Sequence, residues 1–254
     1  MMQYAMVIDL HKCAGCGACG MACKTENNTD NRKNGQSYNW ADFTTKWSGK
    51  FPDVNYEIIP VLCNHCSNAA CVEVCPVNPK AMFKTEAGIT MHNDERCIGC
   101  RSCQQACPYS IMDLEKEDSN ATSVISFNFD GEKTHELYHD KEELIAGCTA
   151  SGAEVASKTG TIPPYKTEYK HPDYEAVRRP GIVEKCILCE HRLKAGEEPY
   201  CATACPAQAR IVGDIDNPNS KAAKLLKKYR YWVRKPEAGT KPNVYYIRSF
   251  KTRS

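Results

Sequence analysis

The stretch CAGCGACGMAC, Cys13 to Cys23, places four thiols within eleven residues, and the same density recurs along the chain. Of 17 cysteines, 16 fall into four groups of four. These are Cys13, Cys16, Cys19 and Cys23; Cys63, Cys66, Cys71 and Cys75; Cys97, Cys100, Cys103 and Cys107; and Cys186, Cys189, Cys201 and Cys205. Every group opens with C-x2-C and closes with C-x3-C. The middle gap alone varies, from two residues in the first and third groups to four in the second and eleven in the fourth. This is an internal repeat of a ligand-bearing unit. Cys148, in LIAGCTASG, stands apart and reads as a small residue without chemistry.

The first and third groups carry the C-x2-C-x2-C-x3-C run of bacterial ferredoxins, in which three thiolates hold one 4Fe-4S cube and the fourth serves another. Gly15, Gly17 and Gly99 lie inside these loops, where glycine lets the backbone turn tightly enough to aim three sulfurs at one point. Three groups end in Cys-Pro, at Pro76, Pro108 and Pro206, and the proline breaks the short helix there. The first group has Lys24 instead, a change that removes no ligand.

Other thiol chemistries fit less well. Zinc sites pair two separated C-x2-C or H-x3-H units, and four cysteines at gaps of two, two and three are hard to wrap around one tetrahedral ion. A zinc-stabilised scaffold would be colourless and free of acid-labile sulfide. Haem attachment needs C-x2-C-H, which is absent. No group has the C-x3-C-x2-C order of a cluster with an open iron. His65 and His191 lie within or beside cysteine groups, and each is read as a hydrogen-bonding neighbour.

Short elements must hold these loops. AMFKTEAGITMHNDERC predicts a hairpin, with strands at 81–84 and 89–92 and Gly88 in the turn. YAMVIDLHKC predicts a strand running into the first loop, and NVYYIRSF another strand. In NSKAAKLLKKYRYWV, Ala222, Leu225, Leu226, Tyr229 and Val233 keep helical spacing after a cap at Asn219 or Ser220. Residues 24–62 and 108–185 are too long to be bare loops in a compact domain, and a partner subunit could bury them. With so much of the interior given to thiols, the metal-free chain is expected to fold poorly.

The formal charge is +2, from 33 Lys and Arg against 31 Asp and Glu, which gives no basic footprint for nucleic acid. No apolar run approaches the roughly 18 residues of a membrane helix. MMQYAMVIDLHKC lacks the pattern of a secretory signal, so the chain is expected to carry none of its own. So many cysteines in such a chain argue against a disulfide framework. Four oxidised cubes with sixteen thiolates would bring the charge to roughly −6. Lys12, Lys24, Arg96, Arg101 and Lys185 are candidates for offsetting that charge and tuning potentials, which span about −700 to +450 mV for such clusters. No G-x-G-x-x-G or other nucleotide fingerprint is present, so the pattern is that of an electron conductor.

The segments VIDLHKCAGCGACGMACKTEN, LCNHCSNAACVEVCP, ERCIGCRSCQQACPY, EKCILCEHR, CATACPAQARIVGD and KPEAGTKPNVYYIRSF together resemble the four-cluster iron-sulfur electron-transfer (beta) subunit of the dimethyl sulfoxide reductase superfamily of molybdenum enzymes. Within it the chain is most similar to arsenate, thiosulfate and polysulfide reductase beta subunits. The resemblance implies an α+β fold of two interleaved bacterial-ferredoxin-like modules with long inserted loops. Residues 1–30 and 180–254 would form the outer module, 56–115 the inner one, and 31–55 and 116–179 inserts for partner contact.

It also implies ligand sets. Cys13, Cys16 and Cys19 would join Cys205, and Cys186, Cys189 and Cys201 would join Cys23. Cys63, Cys66 and Cys71 would join Cys107, and Cys97, Cys100 and Cys103 would join Cys75. The chain would then be no enzyme by itself. It would carry electrons between a large molybdenum- or tungsten-containing subunit, which holds molybdopterin guanine dinucleotide, and a membrane quinone protein or cytochrome. Co-export with the catalytic chain would place it outside the cytoplasm. The alternatives are the beta subunit of a phenol transhydroxylase or dehydroxylase, and a free-standing soluble polyferredoxin.

Overall fold

The structure, a computed structural model, describes residues 2–27, 29–116, 121–129, 140–143, 145–159, 170–171, 174–175 and 180–248. Helices and strands are both short, and the fold is α+β. In order the elements are β1 (Tyr4–Asp9), α1 (Ala18–Asn27), β2 (Ala41–Lys50), β3 (Asp53–Leu62), α2 (Ala70–Glu73), β4 (Met82–Lys84), β5 (Thr90–His92) and α3 (Ser102–Ala106). There follow β6 (Ile125–Phe127), α4 (Gly152–Thr159), β7 (Lys170–His171), β8 (Tyr174–Glu175), β9 (Val183–Lys185), α5 (Glu190–Lys194), α6 (Tyr200–Thr203), β10 (Arg210–Asp214), α7 (Lys221–Lys228), β11 (Tyr231–Trp232) and β12 (Val244–Ile247).

The main sheet has the order β10-β1-β12-β11, with β1 antiparallel to β10 and parallel to β12. Alternation along β1 decides which core each side chain joins. Met6 and Ile8 point into the larger core with Cys19, Cys23, Cys63, Cys186 and Cys201. Val7 points the other way, under Ala222 and Ile247. The Tyr246 hydroxyl donates to the Pro60 carbonyl at 2.7 Å and ties this sheet to β3. A second core gathers Cys71 and Cys103 with Met82, Tyr109, Ile125 and Val183. Helix α1 packs on α6 and α2 on α3, so the helices of the first and fourth groups meet, as do those of the second and third.

The expected hairpin is β4–β5, with Met82 opposite His92 and Gly88 at φ +73° in the turn. Ser220 caps α7 by accepting from the Ala223 amide at 3.0 Å. Ser220→Ala should cost about 1 kcal/mol and speed hydrogen exchange at the Ala223 amide; unchanged exchange there would show that the cap does not hold the helix end. The helix is shorter than its apolar spacing suggested, because Tyr229 is its C-cap and Val233 lies beyond it. Two aromatic contacts pull the next residues into strand β11 instead: Trp232 stacks on Tyr246 at 4.3 Å, and Tyr231 meets Tyr245 edge-on at 5.0 Å. Cross-strand packing of this kind outweighs helical propensity.

The first insert is a long hairpin. β2 and β3 pair over ten residues each, from Ala41 opposite Leu62 to Lys50 opposite Asp53. β3 runs through residue 55, so the insert and the second cysteine group share a strand. In the second insert, β6 pairs with β9 and brings Ile125 opposite Lys185, while residues 130–139 and 160–169 lie outside the described residues.

Candidate iron-sulfur centres

The first loop begins as β1 ends, where the Cys13 amide donates to the Asp9 carbonyl at 3.1 Å. Gly15 and Gly17 have φ of +65° and +80°, the left-handed region that glycine enters without strain. Gly99 has φ +69° in the third loop, and a Cβ there would collide with the Gly181 carbonyl. On α1, Cys19 and Cys23 stand one turn apart, so their sulfurs address two places along the helix.

The thiols meet across the groups. Burial pushes the Cys13 thiol up, and the like charges of Cys19 and Cys205, which would also be thiolates, push it further. Cys23 is raised well above the ordinary thiol range, first by burial and then by Cys186, Cys201 and Cys189. Cys63, Cys66, Cys71 and Cys107 line one cavity of about 370 Å³, part of it open to solvent, together with Lys185, Tyr109 and Thr240. Cys75, Cys97, Cys100 and Cys103 line another of about 310 Å³ with His92 and Arg101. Burial lifts Cys66 to about 11 and Cys71, Cys103 and Cys189 to about 12. Such thiols stay protonated in the bare chain, and only a bound cationic centre would bring them to the thiolate form.

Hydrogen-bond donors point at the sulfurs. The Leu188 amide lies 3.4 Å from Cys186 Sγ and the Ala209 amide 3.3 Å from Cys205 Sγ. The buried Asn27 amide nitrogen reaches Cys23 Sγ at 3.5 Å and Cys189 Sγ at 3.9 Å, joining α1 to the fourth group. Burial opposes the Cys97 thiolate, but the hydrogen bond and charge of His92 outweigh it and lower this thiol. His92 is itself held by Asp94, 3.2 Å from its Nδ1.

The basic residues divide by position. Lys12 is exposed. The Lys24 ammonium donates to the Asp30 carbonyl. Arg96 lies over the Phe83 ring at 5.2 Å, and Arg101 over Phe127 and Phe129 at 5.1 and 5.5 Å. Lys185 alone of the five is fully buried, and its ammonium donates to the Thr90 and Cys186 carbonyls. Sequence reasoning missed two other cations, Lys84, which donates to the Cys66 carbonyl at 2.7 Å, and the buried Arg210. Arg210 could have been found as the charge that opens the strand RIVGD ahead of three uncharged residues.

His65 is buried, accepts from the Thr90 amide at Nδ1, and is held neutral by burial and by Lys185. His191 meets Glu26 at 2.6 Å, linking α5 to α1. Cys148 is exposed.

Among the described residues no three His, Cys, Asp or Glu side chains are drawn together tightly enough for a single metal ion; the cysteines line cavities instead. Lys185 and Arg210 are buried with no carboxylate partner among the described residues, a cost that anionic iron-thiolate groups beside them would offset. Donor set, cavities and buried cations without a carboxylate partner all fit 4Fe-4S groups.

A sequence profile for the 4Fe-4S dicluster domain matches residues 54–130 and 135–215. The chain is 43% identical to the arsenate respiratory reductase iron-sulfur subunit of Shewanella sp. strain ANA-3, over 98% of this chain and 97% of that one. The chain belongs to the iron-sulfur (beta) subunits of the dimethyl sulfoxide reductase superfamily. It is 34% identical to a putative dimethyl sulfoxide reductase iron-sulfur subunit of Halobacterium salinarum, over 97% of this chain and 79% of that one. To a tetrathionate reductase subunit of Salmonella typhimurium it is 31% identical, over 96% and 72%. Within a reductase complex such a chain transfers electrons and is not the catalytic chain. None of its described helices is long and apolar enough to cross a membrane.

Proposed function

We propose that this iron-sulfur chain holds four 4Fe-4S groups, each bound by three cysteines of one group and one of another. The sets are Cys13, Cys16, Cys19 and Cys205; Cys23, Cys186, Cys189 and Cys201; Cys63, Cys66, Cys71 and Cys107; and Cys75, Cys97, Cys100 and Cys103. The two cavities carry the assignment, since each is lined by three thiols of one group and the closing thiol of its neighbour. Packing of α1 on α6 and α2 on α3 supports the same pairing and two interleaved modules, an outer one (1–30 with 180–254) and an inner one (56–115). When bound, each group takes up and releases single electrons.

The residues also suggest an order. Charge contacts link Cys201 to Cys19, Cys186 to Cys63 and Cys103 to Cys71, which strings the four sets in a row in the order just given. Asn27, Thr240 and the backbone amides hold the sulfurs; the surrounding apolar core keeps water from Cys63 and Cys186 in the middle of the row, and Lys84 and Lys185 place positive charge beside them.

The partner we infer is a large catalytic subunit with molybdenum or tungsten on molybdopterin guanine dinucleotide, with a quinone-linked membrane protein or cytochrome at the other end. Arsenate or a sulfur oxyanion is the substrate class of that partner, by likeness to the relatives named above. Co-export with the catalytic chain would carry the complex outside the cytoplasm. The outer half of the β2–β3 hairpin supports a partner contact: Trp47, Phe51, Val54 and Tyr56 are all exposed there, Phe51 at 91%.

Anaerobic purification through a tag on this chain tests the assignment. A copurifying large subunit with one Mo or W, and iron at about sixteen per copy of this chain beyond the partner's own, is the expected result. Trp47→Ala with Phe51→Asp should lose the partner while keeping the iron. Iron without partner, molybdenum or tungsten would favour a free polyferredoxin, and a colourless protein with zinc would overturn the cluster assignment.

A further inference from the structure

Arg210 opens β10 opposite Ile8 of β1. Its side chain is 4% exposed, and Nη1 lies 3.7 Å from Met6 Sδ. Nη2 is shut off from water with no hydrogen-bond partner in the protein. The ionisable groups that bear on it are the thiols of Cys201, Cys19 and Cys23 and the neutral Tyr246 hydroxyl, and its own charge falls on Cys13, Cys23 and Cys201. Met6 shares the larger core with Cys19, Cys23 and Cys201, which brings the guanidinium among those thiols. With Cys13, these four thiols divide evenly between the two outer ligand sets. A guanidinium cannot shed its proton to escape burial, so its placement here demands permanent negative charge close by.

Resting on the cluster assignment above, we propose that Arg210 is a shared positioning cation for the two outer iron-sulfur sites, set between both sulfur sets so that one side chain raises the potential of each. The physical basis is electrostatic. A cube with four thiolates gains one negative charge on reduction, and a fixed cation in a site of low dielectric favours the more negative state. No bond forms or breaks, and the electron enters without a proton. Other cations are placed differently: Lys185 acts on Cys71 of an inner set and on Cys186 of an outer one, and Lys84 lies beside Cys63 and Cys66 of an inner set. Loss of Arg210 should therefore be felt by two sites and not by four.

The test is an EPR-monitored redox titration of the intact complex with Arg210→Met and Arg210→Lys, the outer signals being assigned by Cys205→Ser and Cys23→Ser. Arg210→Met should make both outer sites at least tenfold harder to reduce, about 59 mV for a one-electron couple, with the inner signals unmoved. Arg210→Lys should restore most of that shift. If the Met variant does not assemble, Arg210→Gln against Arg210→Lys makes the same comparison with a polar, neutral side chain. Movement of only one outer signal, of none, or of all four equally would overturn the proposal. Failure of the cluster assignment itself would show separately, as fewer than four signals in the unaltered protein.

Discussion

Cys205→Ser should remove or convert the cluster bound through Cys13, Cys16 and Cys19, at the opposite end of the sequence, while leaving the EPR signals of the two inner sets unchanged. Cys205 follows α6, which packs on α1, and its thiol adds to the charge felt by Cys13. Serine keeps the shape and loses the soft thiolate that iron prefers. Loss of the cube would lower iron by about four per chain. Disappearance of an inner signal with the first group's signal intact would sink the interleaved ligand scheme.

Stripping the iron anaerobically should abolish cooperative unfolding of the chain. Cys19, Cys23, Cys63, Cys186 and Cys201 are members of the larger core, not attachments to its surface. The second core is poorer still in aliphatic side chains: Cys71 and Cys103 are among its buried members, and Cys66, Cys75, Cys97 and Cys107 pack against it. Structural metal sites in small domains contribute on the order of 10 kcal/mol to folding, comparable to the whole stability of an ordinary domain. Thermal circular dichroism of holo and iron-free protein measures this. An iron-free chain that kept a sharp transition at the holo temperature would show that side-chain packing alone supports the fold.

Much of the site was legible because cysteine spacing is a direct record of loop geometry. Gly99 shows why: the loop closes against the Gly181 carbonyl and leaves no room for a side chain. The β4–β5 hairpin and the β1 and β12 strands were equally plain, since alternation and a turn glycine are local signals. What escaped was set by contacts between distant residues. Val233 kept a helical period but lies just past Trp232, which pairs with Tyr246 in a strand. Lys84 and His92 look like ordinary surface residues in one dimension, and Arg210 shows there only as a charge opening a strand; the approach of β10 to β1, or of His92 to Cys97, makes them neighbours of sulfur. Conversely Lys12, adjacent to the first cysteine, is exposed.

The place of β1 at the centre of the main sheet has a consequence for the order in which the protein is made. β1 leaves the ribosome well before both strands beside it, β10 and β12, which follow about 200 residues later. Asn27 likewise waits for Cys189, 162 residues later, before its amide has both sulfurs to bind. At about 5–20 residues per second that delay is on the order of 10 s. The β4–β5 hairpin pairing and the contact of α2 with α3 need no such wait, because their partner segments emerge together. Pairing can therefore begin in the middle of the chain, and the thiols of the first group stand open to oxidants or stray metals until the fourth group has emerged.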